Sequence, residues 1–200
     1  MKKYFSVDAE TDELYGPAFA IGAVVWEDGK FTKQFKGVLK DADKFVTSDW
    51  VRENCLPIAD GYTQYETRAD LLNAFWNFYM ENKKDAQIFA DVGAPVETQV
   101  FRECVMLDLK NRQWDGPYPL DEVASILRGR GIDPDIDRIK FSGFNGRKHD
   151  PCDDAIASII CVLKSDELYE ELVRKSEAYD KHKQKKETPK KDKKADDFHR

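Results

Sequence analysis

Apolar and polar positions divide the chain into strand-like and helix-like stretches. Lys3 to Glu10 reads as a first strand, with Phe5, Val7 and Ala9 alternating with Ser6, Asp8 and Glu10. Ala18 to Trp26 is a near-continuous apolar run, as expected of a central strand buried on both faces. The Asp28-Gly29 pair inside Glu27–Lys30 predicts a tight turn, and Phe31 to Val38 is the return strand. The opening is therefore expected to be three antiparallel strands.

Helical spacing takes over afterwards. A short helix is predicted around Ser48–Asn54, with Thr47 or Ser48 as cap and Pro57 as its end. Glu66 to Asn82 carries Leu71, Leu72, Phe75, Trp76, Phe78 and Tyr79 at the spacing of a core-facing helix. Asp85–Asp91 reads as a short strand ending in an acid. Gly93 then turns the chain, and Pro95 suits the first position of a helix from Val96 to Val105. Met106–Leu109 reads as a further strand, Leu120–Arg128 as a helix closed by Gly129 and Gly131, and Asp133–Lys148 as loop. Asp150 is a good helix cap and Pro151 a good first helical residue for a helix to about Lys164. A second helical piece is expected from after Ser165 to about Lys183. Three strands, then helix, strand and helix, then more helices, predict an α/β fold with a mixed sheet.

Composition adds limits. The chain has 200 residues, enough for one domain of about 1–165, with a C-terminal helix over 166–184 and a disordered charged tail over 185–200. No window approaches 18 apolar residues, so no membrane span is expected; nor is a signal peptide, because Asp8 and Glu10 interrupt the N-terminal apolar run. The expectation is a soluble, cytoplasmic protein. Four dispersed cysteines without a Cys-x-x-Cys pair predict reduced thiols in or near the core, not a zinc site. The net charge of −6 argues against coating nucleic acid by charge alone. It is uneven: from Arg174 to Arg200 there are 11 basic and 6 acidic residues, so the body is acidic and the end basic. Such an end is either a solvated tail or a weak arm for polyanions.

The chemistry concentrates in three places. Asp8 and Glu10 sit two apart on one strand, so they share a face with Cα atoms roughly 7 Å apart. Two carboxylates at that separation can share a pair of metal ions about 3.5–4 Å apart. Asp91 ends the later strand. His149 stands just ahead of the last long helix, with Asp154 in its first turn. The residues one turn beyond, Ala157, Ser158 and Cys161, are small enough for that helix to approach the sheet closely. Asp150 and Asp153 compete with Asp154 as ligands, and Asp108 competes with Asp91.

Asp8-x-Glu10-Thr11, then Asp91, then His149 with Asp154 five residues later, resembles the DEDDh 3′–5′ exonucleases of the ribonuclease H-like fold. Pro119–Ser125 and Gly131–Pro134 look like a bacterial branch of that group. The resemblance spans roughly residues 3–163. It implies a ribonuclease H-like mixed β-sheet, three antiparallel strands plus parallel strands, flanked by α-helices. It also implies a phosphodiesterase using two Mg²⁺ or Mn²⁺ ions. By that resemblance Asp8 would bridge both ions, Glu10 and Asp154 would complete one, and Asp91 would hold the other. His149 would take a proton from the attacking water. Thr11, Leu14 and Tyr15 fall where the terminal nucleotide would be met.

Two departures stand out. Relatives often have an Asn before a Phe-Asp pair where this chain has Ile88-Phe89-Ala90-Asp91-Val92. Asp12 and Glu13 follow Thr11, where they would repel phosphate unless compensated. The implied partners are DNA or RNA 3′ ends, with release of nucleoside 5′-monophosphates. Relatives occur as monomers and dimers. The competing readings are a non-catalytic nucleic-acid-binding or scaffold protein and a hydrolase of small phosphodiesters.

Overall fold

A computed structural model describes residues 2–56 and 61–187, with side chains described as far as residue 176. Residues 1–165 form one compact unit, and residues 166–200 separate as a second. The first unit is built on a six-stranded mixed sheet. Its strands are β1 (Lys3–Thr11), β2 (Ala18–Glu27), β3 (Lys30–Leu39), β4 (Thr63–Tyr65), β5 (Gln87–Ala90) and β6 (Asp121–Glu122), in the spatial order β4-β3-β2-β1-β5-β6. The first three pair antiparallel; β4, β5 and β6 each join in parallel.

Local chemistry accounts for the antiparallel part. Asp28 and Gly29 both have positive φ, 51° and 87°, as a two-residue hairpin loop requires, and Glu27 pairs with Lys30 across it. The two shortest strands depart from the sequence pattern. Thr63–Tyr65 is polar and three residues long, and Asp121–Glu122 falls in a stretch expected to be helix. Asp121 and Glu122 instead extend the sheet by pairing with Phe89 and Ala90, and the helix starts only at Val123. Such short pairings carry no readable period; the neighbouring strand decides them.

Seven α-helices accompany the sheet among the described residues: α1 (Asp49–Asn54), α2 (Arg68–Asn82), α3 (Val96–Leu107), α4 (Leu109–Arg112), α5 (Val123–Gly129), α6 (Arg138–Ser142) and α7 (Pro151–Glu187). Thr67 caps α2 by accepting from the Asp70 N–H. The faces of α2 and α3 carrying Leu71, Phe75, Tyr79, Val100, Phe101 and Cys104 cover one side of the sheet, against Phe5, Val7, Ile21 and Val25. Fully burying each such side chain contributes about 1.5–3 kcal/mol. The other side, with Tyr4, Val24 and Phe89, is covered by α5 through Val123 and Leu127 and by the start of α7.

Four further expectations are corrected. Met106–Leu109 is not a strand: α3 continues to Leu107, because Val100, Phe101 and Cys104 already set a helical buried stripe. The loop over Asp133–Lys148 contains α6, capped by Asp137 accepting from the Lys140 N–H. Helix α7 has no break at Ser165, whose hydroxyl donates to the Val162 carbonyl within the helix, and no Gly or Pro follows as far as Glu187. Residues 185–187 are therefore helical; the rest of the expected tail, 188–200, and Pro57 lie outside the described residues.

Candidate active site

Strand β1 delivers Asp8 and Glu10 to the face opposite Phe5 and Val7. Asp8 pairs directly with Gly22 of β2, and Glu10 with Ala20. At Gly22 the start of α7 lies against the sheet: an added Cβ would stand 2.2 Å from the Cys152 nitrogen. That close approach brings Asp154 to the β1 acids. One carboxylate oxygen from each of Asp8, Glu10 and Asp154 lies within 4.8 Å of the others.

The turn before α7 sorts its three aspartates. Asp150 Oδ1 accepts from the Tyr62 hydroxyl (2.7 Å) and from the N–H groups of Cys152 and Asp153, which makes it the helix cap. Asp153 Oδ2 accepts from the Arg147 N–H at 2.9 Å. Asp154 faces the cleft, with one oxygen accepting from the His149 N–H (2.9 Å). His149 has φ 59°, a left-handed conformation that turns the chain sharply into the helix. Its Nδ1 lies 3.6 Å from Glu10 Oε1, and its ring meets Trp50 of α1 edge-on at 5.2 Å.

Asp8, Glu10, His149 and Asp154 line a cleft of about 500 Å³. Asp91, just past β5, lines it as well, but its Oδ1 accepts from Arg138 Nε at 2.7 Å. The Arg138 guanidinium also donates to the Pro134 and Ile136 carbonyls, which fixes the 134–139 wall of the cleft. Asp108 stands elsewhere, accepting from the Asn111 side-chain amide.

One acid in the cleft is not among the sequence candidates. Glu97, in the first turn of α3, is 4% exposed and faces Asp8. The sequence does carry a signal for it: Glu97, Val100, Phe101 and Cys104 form one buried i, i+3, i+4, i+7 stripe, so a carboxylate heads an apolar face. Leu14 lines the cleft mouth, while Tyr15 is exposed and outside it, and the Thr11 hydroxyl donates to the Glu13 carbonyl. Asp12 does not confront the site. Its carboxylate accepts from Thr47 and Ser48, and although burial raises its pKa those bonds prevail and hold it below the usual range.

The electrostatics follow from crowding four acids in a buried place. Burial, then Glu97, Asp154, Glu10 and Asp91, push the Asp8 carboxyl well above its ordinary value. Burial pushes Glu97 up to about 8, against opposing N–H bonds, and burial with Glu10 pushes Asp154 up to about 7. Glu10 is raised by burial and partly relieved by the Cys55 thiol and His149. Asp91 is raised by burial and relieved by Arg138. Arg138 relieves Asp91 alone, so the inner acids form a site that favours protons or an added cation. Their all-oxygen donor set suits hard divalent ions such as Mg²⁺ or Mn²⁺.

No family model and no curated protein matches the chain. Similar solved structures include the nuclease domain of 3'hExo, a DEDDh family member bound to rAMP, at 13% identity and TM-score 0.49, over 83% of this chain and 92% of that one. A full-length 3'-exonuclease is similar at 13% identity and TM-score 0.46, and a 3'-exonuclease recognising the histone mRNA stem-loop at 13% and 0.48, each over 83% of this chain and 82% of the other. What this chain does is read from its own residues.

Proposed function

We propose that the protein is a divalent-metal-dependent 3′–5′ exonuclease that releases nucleoside 5′-monophosphates from single-stranded or frayed DNA or RNA. The observation that carries this reading is the cluster of partly buried Asp8, Glu10 and Asp154 around buried Glu97, with His149 at its edge. Like charges packed this closely are costly unless cations neutralise them. The motif order, Asp-x-Glu on the first strand and His five residues before Asp on the last helix, supports the same chemistry.

In this reading Asp8, Glu10 and Asp154 would hold one ion, and Glu97 with Asp8 would serve the second. Bound metal supplies an activated water and neutralises the charge that develops on the phosphate and the leaving 3′ oxygen. The His149 imidazole takes the proton of the attacking water, a role suited to a side chain whose ordinary pKa lies near neutrality. Trp50 holds that ring, and the His149 N–H ties its backbone to Asp154, so base and ligand move together. Asp91 and Arg138 brace the opposite wall. Leu14 at the mouth offers an apolar surface for the terminal base.

The test is a time course on 5′-labelled single-stranded DNA and RNA, in parallel, with Mg²⁺, Mn²⁺ or EDTA and with Asp8→Ala as control. A ladder that shortens from the 3′ end, and disappears in EDTA and in the variant, is the expected result. Absence of cleavage by folded, metal-loaded protein would overturn it in favour of a binding protein. Activity confined to dinucleotides would instead identify a small-phosphodiester hydrolase.

A further inference from the structure

Cys55 does not behave like the other three cysteines. The thiol of Cys104 donates to the Leu72 carbonyl, that of Cys152 to the Gln34 side-chain oxygen, and that of Cys161 to the Arg138 carbonyl. Each of those is a buried thiol with a neutral acceptor. Cys55, at the C-terminal end of α1, donates instead to the Glu10 carboxylate and lies beside His149. Its backbone is held by the Val51 carbonyl, and its outer side packs among Ala20, Ala42, Val46 and Val51. Its sulfur faces the polar cluster.

One ligand atom from each of Glu10, Cys55 and His149 lies within 4.8 Å of the others. The geometry points to a second cation site in which Cys55, His149 and Glu10 hold one thiophilic divalent ion of the zinc class, distinct from the all-oxygen site of Asp8, Glu10 and Asp154. A thiolate, an imidazole and a carboxylate are three ligands of the kind zinc takes, with a fourth position left for water. Zinc bonds of about 2.0–2.3 Å place tetrahedral ligand atoms about 3.3–3.8 Å apart, and His149 Nδ1 stands 3.6 Å from Glu10 Oε1. The half-exposed His149 ring, met by Trp50 and Glu10 among the described residues, can adjust to the third ligand by rotation. As the sulfur–metal bond forms, the thiol proton leaves to solvent, as it does whenever a metal takes a cysteine. Hard ions such as Mg²⁺ gain little from sulfur, so the two sites sort ions by softness.

The two sites share Glu10, and the thiol-bearing site also takes His149, so an ion there competes with the reaction at the oxygen site. An ion on Cys55 withdraws Glu10 from the oxygen site and His149 from proton transfer. Zinc-class ions are then inhibitors of the Mg²⁺-dependent reaction. The inhibition rests on the exonuclease reading; the binding does not.

The experiment titrates the metal-free full-length protein with Cd²⁺ and follows the ultraviolet thiolate-to-metal charge-transfer band. The wild type is expected to saturate near one equivalent. Cys55→Ser should lose the band. His149→Ala, at a half-exposed position that leaves the fold intact, should keep a band but bind roughly tenfold more weakly or worse, since even residues outside the ligand set shift metal affinity by about 10–100-fold. No band in the wild type, an undiminished band in Cys55→Ser, or unchanged affinity in His149→Ala would each overturn the site. In parallel, Zn²⁺ is added to nuclease assays in excess Mg²⁺. Inhibition of the wild type, weakened roughly tenfold or more in Cys55→Ser, is expected. Cd²⁺ binding through Cys55 without Zn²⁺ inhibition would overturn the competition between the two sites. Absence of all Mg²⁺-dependent cleavage would sink the exonuclease reading alone, and the Cd²⁺ titration would still decide the site.

Discussion

Gly22 on β2 stands directly across from Asp8 on β1, and a Cβ there would meet the backbone of Pro151 and Cys152 at 2.2–2.6 Å. Opposite residues of an antiparallel pair point to the same face. The missing side chain at Gly22 is therefore what lets the start of α7 settle beside Asp8 and bring Asp154 with it. The approach is backbone against backbone, so no rotamer change can relieve an added methyl.

Gly22→Ala is accordingly expected to destabilise the protein by about 1–3 kcal/mol through overpacking. That lowers the thermal midpoint by roughly 2–4 °C per kcal/mol in a protein of this size. Hydrolysis should fall about 100-fold, because an ångström of misplacement at reacting groups has that effect. A variant with wild-type melting and wild-type rate would show that α7 does not depend on Gly22.

Removing the negative charge of Glu97 separates its two consequences. Glu97→Gln keeps the shape and an acceptor for the Ala9 N–H, but relieves the repulsion with Asp8. Without metal the variant should melt at or above the wild-type temperature. With Mg²⁺ it should lose roughly 100-fold or more in rate, at the low end of what a group acting in the transition state contributes. Full activity in Glu97→Gln would leave Asp91 as the functional acid on that side of the cleft.

The raised carboxyls make stability depend on pH in an unusual direction. Glu97 and Asp154 sit at about 8 and about 7, against 4.5 and 3.8 as ordinary values. Between those limits the folded chain binds more protons than the unfolded one, so this contribution falls as pH rises. In EDTA, the melting temperature is expected to drop from pH 5 to pH 8, and less steeply in Glu97→Gln. Mg²⁺ should restore most at pH 8, where the acids are most charged. Equal slopes for wild type and Glu97→Gln would refute the assignment.

His149 is expected to matter for rate and not for folding. Its side chain is 41% exposed, so His149→Ala should melt normally while the rate falls about 10²–10⁴-fold. Trp50→Ala leaves the imidazole in place but unheld. An edge-on aromatic contact contributes about 0.5–1.5 kcal/mol, which corresponds to a loss of up to roughly tenfold. The shape of the pH–rate profile should survive in Trp50→Ala and change in His149→Ala; the opposite pattern would remove His149 from proton transfer.

Arg138→Met tests the far wall. The arginine side chain is 10% exposed and Asp91 33% exposed, and three carbonyl or carboxylate oxygens depend on the guanidinium. Breaking a fully buried pair costs about 3–5 kcal/mol; with Asp91 partly in water, about 2–3 kcal/mol is expected here. Denaturant unfolding measures it, and a change under about 0.5 kcal/mol would show the wall to be held by other contacts.

Much of the fold and of the site is legible in the amino-acid order alone. The β1–β2–β3 meander follows from alternation, one continuous apolar run and an Asp-Gly turn. The start of α7 follows from Asp150-Pro151, because caps and first-turn prolines are matters of local hydrogen bonding. Strand alternation puts Asp8 and Glu10 on one face, whereas His149 and Asp154 are singled out by the family resemblance, because helix geometry alone leaves Asp150 and Asp153 beside Asp154. Strands β4 and β6, the helical Met106–Leu107 and the unbroken passage through Ser165 cannot, since short elements take their state from neighbours.

By itself, then, the sequence determined which of the longer segments are strand or helix and which face of each is apolar, since these depend on contacts within a few residues. Only the tertiary structure decided which acids meet. Glu97 reaches Asp8 because α3 packs against β1, and Asp91 is taken up by Arg138 at the start of α6. Cys55 joins Glu10 and His149 because the end of α1 packs among Ala20 and its neighbours, beside Glu10. Those meetings join residues tens of positions apart, and no local periodicity encodes them; they follow from burial of whole faces, which fixes where each helix end comes to rest.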